Sequence, residues 1–105
     1  MNRCSWPLGN GQTHEFTIYD SKQNWNKIAG VYIFSYLAQE GWYPLYVGQT
    51  DDFSSRLPNH ERLEEAVRHG ATHIHAAVIP QASSRDKLEA MLIGHLQPPM
   101  NTQLK

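Results

Sequence analysis

Tyr32 and Tyr46 are the first residues whose setting suggests chemistry. Each lies in an apolar-aromatic run beside a glycine, as Gly30-Val31-Tyr32 in GVYIFSYL and as Tyr46-Val47-Gly48 in WYPLYVG. A phenol both donates and accepts hydrogen bonds, and it titrates near 10 unless its surroundings shift it. Taken alone, such a pair is an ordinary cross-strand aromatic contact. Arg56, in DDFSSRL, is by itself either a solvated helix residue or a clamp for phosphate. Glu89, in KLEAMLIGHL, stands four residues after Arg85 and would suit a surface ion pair. It also shares a flank with Ile93 and Leu96, and a carboxylate bordering a buried stripe requires a partner. Asn101, in QPPMN, reads alone as a tail residue.

Other polar groups carry weaker signals. His60, His69, His73, His75 and His95 invite a search for a metal centre, and His73 and His75 share a strand face. No third ligand has recognisable spacing, so a zinc site is disfavoured. Gly9-Asn10-Gly11 lacks the following helix of a phosphate loop and reads as a turn. Trp25 and Trp42 are assigned to core or rim packing rather than to base stacking, and ERLEE at 61–65 to a solvated face.

The elements that must hold these groups follow from periodicity. GVYIFSYL and WYPLYVG, separated by AQEG, predict a β-hairpin with Gly41 in the positive-φ position. Alternation puts Val31, Ile33 and Leu37 on one face, and Tyr32, Phe34 and Tyr36 on the other. On the return strand Leu45 and Val47 share a face opposite Tyr46. A three-residue loop at 38–40 would set Tyr32 directly across from Tyr46. Any even-sum register keeps both phenols on one side. Thr50 or Asp51 caps a short helix with Asp51 and Asp52 in its first turn, ending near Leu57 because Pro58 disfavours helical geometry before it. Asn59 restarts a helix with Leu63, Ala66 and Val67 on one face, closed by Gly70. THIHAAVIP predicts a third strand. Ser83 or Ser84 caps a last helix over about 84–96, with Leu88, Met91, Leu92 and Leu96 as its core stripe, ended by Pro98 and Pro99. The expected fold is α/β (α+β), a small three-stranded, mainly antiparallel sheet flanked by helices. Residues 1–29 form an N-terminal extension packed on a domain of residues 30–105. Within the extension Phe16 to Tyr19 suits an edge strand.

Composition narrows the class of protein. The 105 residues suit one domain, and the single Cys4 forms neither an internal disulfide nor a zinc cluster, which favours a reducing compartment. No apolar run approaches a membrane span and the start lacks a signal-peptide core, so a cytoplasmic protein with no membrane partner is expected. Nine basic against ten acidic residues give a net charge of −1, which argues against coating nucleic acid by bulk electrostatics.

In order along the chain, Gly30-Val31-Tyr32, Tyr46-Val47-Gly48, Arg56, His60, Glu89 and Asn101 resemble the GIY-YIG nuclease superfamily. The resemblance covers about residues 30–101. It implies a metal-dependent endonuclease that hydrolyses DNA by a one-metal mechanism, with Mg²⁺ or Mn²⁺ held by Glu89. It further implies that Arg56 grips the phosphate, that a tyrosine assists the attacking water, and that His60 and Asn101 belong to the site. Ionising a phenol near neutrality requires a shift of roughly 3 units, about 4 kcal/mol, which a cation and Arg56 would supply. Tyr32 is the preferred base, with Tyr46 orienting water or phosphate, and the reverse assignment stays open. Two departures stand out. Pro58 interrupts the helix that would set Arg56 and His60 one turn apart, and the chain has no basic stripe. A separate DNA-binding partner or a homodimer is therefore expected to help find the substrate. The alternative is a catalytically inactive module of the same fold that binds protein or nucleic acid.

Overall fold

A computed structural model describes residues 2–20 and 22–102. The chain runs β1 (Arg3–Pro7), β2 (Thr13–Asp20), β3 (Gly30–Ala38), β4 (Gly41–Thr50), α1 (Phe53–Arg56), α2 (Glu61–Arg68), β5 (His73–Val78), α3 (Ala82–Leu96) and α4 (Pro99–Thr102). One sheet of order β1-β2-β5-β3-β4 contains all five strands, and every neighbouring pair is antiparallel. The fold class is as expected, but the sheet has five strands rather than three. The Phe16–Tyr19 stretch belongs to β2, which is not an edge, because β5 pairs on one side of it and β1 on the other. β1 escapes a local reading because only Cys4 and Trp6 of its five residues turn inward. Gly9 and Gly11, both at positive φ, close the β1–β2 turn, and the Asn10 side chain accepts from the Gln12 N–H at 3.0 Å.

The β3–β4 hairpin has a two-residue loop, since Ala38 pairs with Gly41 and Gly41 has φ +123°. A register shift follows: Phe34 faces Tyr46, whereas Ser35 faces Pro44, leaving Leu45 as the extra residue of a bulge. Pro44 has no N–H to give the ladder, which is why the irregularity sits beside it. The bulge corrects two expectations. Tyr32 lies opposite Gly48, two pairs along from Tyr46, with both phenols still on one face. Leu45 joins the tyrosine-side core while Val47 packs on the other face.

Each sheet face carries its own core. Tyr32, Phe34, Leu45, Phe53, Leu57, Ala66 and Ile74 pack between the sheet and α1–α2. Val31, Ile33, Val47, Ala77, Trp6 and Phe16 pack with Leu88 and Leu92 of α3 on the opposite face. Asp52, rather than Thr50 or Asp51, caps α1, accepting from the Ser54 N–H at 2.9 Å. α1 stops at Leu57 as Pro58 requires. His60, not Asn59, caps α2, and Val67 is exposed while Ala66 is fully buried. Gly70, at φ +104°, follows the α2 cap. α3 begins two residues early after Gln81, and ends at Gln97 in the left-handed conformation. No described helix is long and apolar enough to cross a membrane.

Candidate active site

Gly48 is the narrow point of the site. It lies on β4, an edge strand, directly across from Tyr32, whose ring folds over it. A methyl group at Gly48 would lie 2.5 Å from the Tyr32 hydroxyl oxygen, so the phenol sits where any other residue would project a side chain. Gly30 serves the other end of the motif. A Cβ there would strike the Ala77 carbonyl oxygen and the Phe53 ring, so its absence lets α1 dock on β3. Tyr46 lies 6.5 Å from Tyr32 between ring centroids, and its ring stacks on Phe34 at 5.6 Å.

Two groups meet at the Tyr32 hydroxyl. His60 Nε2 is 2.7 Å away, and Arg56 stands within hydrogen-bonding reach. Although Pro58 does separate two helices, the α1 end and the α2 cap still deliver Arg56 and His60 to the same phenol. The charge of Glu89, on α3, acts on both tyrosines. Burial raises the Tyr32 pKa well above its ordinary value, Tyr46 adds to the rise, and Arg56 opposes it. Burial likewise raises Tyr46, against which Arg62 and Arg56 act. His60 is drawn down to about 4, by burial first and then by Arg56. It is therefore neutral at pH 7.

Arg56 holds Glu61 in a two-point fork, at 3.0 and 3.2 Å. This is the geometry with which a guanidinium takes a phosphate. The fork draws the Glu61 carboxyl down to about 2. Glu89 is half-buried and makes no pair with Arg85, which instead turns to the end of β5 and donates to the Ile79 and Pro80 carbonyls. The partner of Glu89 is the Gln49 amide, at 2.9 Å, which also donates to Asp86 at 2.6 Å. A half-buried carboxylate suits a small hard cation such as Mg²⁺, which keeps several waters and takes one or two carboxylates. Among the described residues no group of three or more His, Cys, Asp or Glu could hold a metal, so Glu89 would act as a lone protein anchor.

Asn101 is placed differently. From the short α4 its amide accepts from the Val47 N–H at 2.8 Å and donates to the Val47 carbonyl at 2.9 Å. It acts as one extra rung on the open edge of β4, next to Tyr46. Sequence reading missed Gln49, Glu61 and Arg62. Arg62 lies 5.3 Å over the Tyr46 ring and donates to the Met100 carbonyl, so ERLEE is not wholly a solvated face. Gln49 was findable, since it directly follows the second glycine motif. Trp25 packs on Tyr19 and Phe53, and Trp42 on His73 and His75, in the packing roles expected of them.

No protein-family model and no curated protein matches the chain. Solved structures do. The GIY-YIG N-terminal endonuclease domain of UvrC from Thermotoga maritima, bound to its catalytic magnesium, aligns with a TM-score of 0.57 and 27% identity. The match covers 70% of this chain and 83% of that one. Two point-mutant forms of the same domain, each with its catalytic divalent cation, align at TM-scores of 0.55 and 0.56 with 28% and 26% identity. Each match covers 70% of this chain and 82% of the other.

Proposed function

We propose that this chain, which belongs to the GIY-YIG superfamily, is a metal-dependent endonuclease that hydrolyses phosphodiester bonds in DNA. The supporting observation is the meeting of Tyr32, His60 and Arg56 over the Gly48 gap, with Glu89 reaching the same edge of the sheet from the opposite face. Residues 30–105 make the catalytic domain, and residues 1–29 are an extension whose strands widen its sheet.

Arg56 exchanges Glu61 for a substrate phosphate, since both present paired oxygens to the same fork. Tyr32, as phenolate, accepts a proton from the attacking water. Arg56 beside its oxygen favours that charged state against the cost of burial. Tyr46, fixed by Phe34 and Arg62, orients water or phosphate. Asn101 positions Tyr46 through the Val47 backbone. Glu89 would hold Mg²⁺ or Mn²⁺, which when bound polarises the phosphate and stabilises the leaving 3′ oxygen. A net charge of −1 predicts weak, salt-sensitive binding by the chain alone, so a DNA-binding partner or a homodimer supplies affinity.

Cleavage of plasmid, branched and single-stranded DNA with Mg²⁺ or Mn²⁺ tests this function. Cation-dependent nicking that Glu89→Ala abolishes, with an unchanged circular dichroism spectrum, is expected. Cleavage that survives Glu89→Ala in a folded protein overturns the role of Glu89. A protein that binds DNA but cuts none of these substrates identifies an inactive binding module instead.

A further inference from the structure

We infer that His60 is a fixed hydrogen-bond donor to Tyr32 and does not receive the Tyr32 proton; its catalytic meaning rests on the nuclease function proposed above. The assignment comes from the helix cap. His60 occupies the N-cap of α2 in extended geometry, and its Nδ1 lies 3.0 Å from the Arg62 backbone N–H. A backbone amide has only a proton to offer, so Nδ1 must present its lone pair. A neutral imidazole carries one proton, which is then on Nε2. That nitrogen is the one 2.7 Å from the Tyr32 oxygen. Rotating the ring by half a turn would put carbon atoms in both places and lose both bonds, so two independent contacts fix the same orientation. Burial keeps the ring neutral at pH 7, and adding a second proton would break the cap.

Polarity at the phenol follows. The Tyr32 oxygen accepts from His60, and Arg56, its other polar neighbour, has only donors. Neither can take the phenol proton, which is therefore directed away from both. Once that proton leaves, the phenolate oxygen already faces the fixed His60 donor and the nearby Arg56 charge, so this donor needs no reorganisation as charge develops. His60 is thus a positioning residue. It sets the hydrogen-bond direction at Tyr32 and closes the first turn of the helix that follows.

The test combines tautomer and rescue. Long-range ¹H–¹⁵N correlation spectra of the intact protein at pH 7 should show His60 protonated on Nε2 and bare on Nδ1. The opposite tautomer, or a doubly protonated ring, overturns the assignment whether or not the protein cuts DNA. His60→Ala should lower kcat about 10²-fold, as removal of a preorganised donor does. His60→Gln, whose amide keeps an N–H near the same place, should recover at least tenfold over alanine. Equal loss in the two folded variants would identify His60 as the proton acceptor and refute the donor role. An Nε2–H tautomer in a protein that cuts no DNA would overturn only the nuclease function.

Discussion

Replacing Gly48 with alanine tests whether the glycine of the second motif exists to admit the Tyr32 phenol. Gly48 does not adopt a positive φ, so alanine brings no backbone strain and the effect is steric. The new methyl would stand 2.5 Å from Tyr32 Oη, 2.6 Å from Cζ and 2.9 Å from Cε1. Relieving this requires the ring to retreat by about 1 Å. It has nowhere to go, being 1% exposed and enclosed by Phe34, Phe53 and His60. Overpacking of this kind costs ~1–3 kcal/mol, and the strained bond to His60 adds about 1 kcal/mol. A loss near 3 kcal/mol lowers Tm by about 12–24 °C in a domain this size. Cleavage should fall about 10²-fold, because a shift of about 1 Å at a reacting group has that consequence. Thermal melts and plasmid-nicking rates read both effects. Gly94→Ala is the control, since its methyl would meet nothing within 4 Å and the site is inside α3, where alanine gains ~0.5–1 kcal/mol. A Gly48→Ala protein that melts and cuts like the parent refutes the steric account.

Three further outcomes are expected. His75 is fully buried, accepts from the Trp6 indole at 2.9 Å and is drawn down to about 4 by burial. The unfolded chain takes up that proton from about pH 6.5 downward and the folded one only near 4, so stability is full above 6.5 and falls as pH drops to 4. His75 alone accounts for about 3 kcal/mol and His60 acts in the same direction; denaturant melts that agree at pH 7.5 and 4.5 contradict this. Glu61→Gln frees the Arg56 fork while leaving the exposed surface otherwise intact, so KM for DNA should fall by about two- to fivefold with Tm unchanged, and an unchanged or higher KM counts against competition between Glu61 and phosphate. Asn101→Ala removes both bonds to Val47 and should cost ~1–3 kcal/mol in denaturant unfolding, and Asn101→Asp, which sets a carboxylate oxygen against the Val47 carbonyl, should not recover it; equal stability of all three proteins excludes the clamp.

Much of the site was legible because its signals are local. Strand alternation carries Tyr32 and Tyr46 to one face under any even-sum register; the two-residue loop alone sets an odd sum, and the bulge at Leu45 restores the even one. Pro58 forced a break between Arg56 and His60, and the break is there. The error was to treat it as separating them. A helix end and a helix cap can aim at one point as well as a continuous turn can. β1 and β2 were underestimated because a strand with two inward residues has too short a pattern to read, and its reason to form is a partner elsewhere in the sheet.

By itself, the order of residues determined the hairpin, the helix boundaries to within two or so positions, and the succession of tyrosines, arginine, glutamate and asparagine. These depend on backbone preference and on side-chain period, both of which act between near neighbours. Only the tertiary structure decided the bulge that sends Leu45 and Val47 to opposite faces, the Glu61 fork on Arg56, the Gln49 contact to Glu89 and the Asn101 clamp on Val47. It also decided the direction of the hydrogen bond between His60 and Tyr32. Most of these join residues far apart in the chain. Others, such as the Glu61 fork, link near residues through side-chain rotamers, and neither kind leaves a periodic trace, because packing rather than propensity selects the partner.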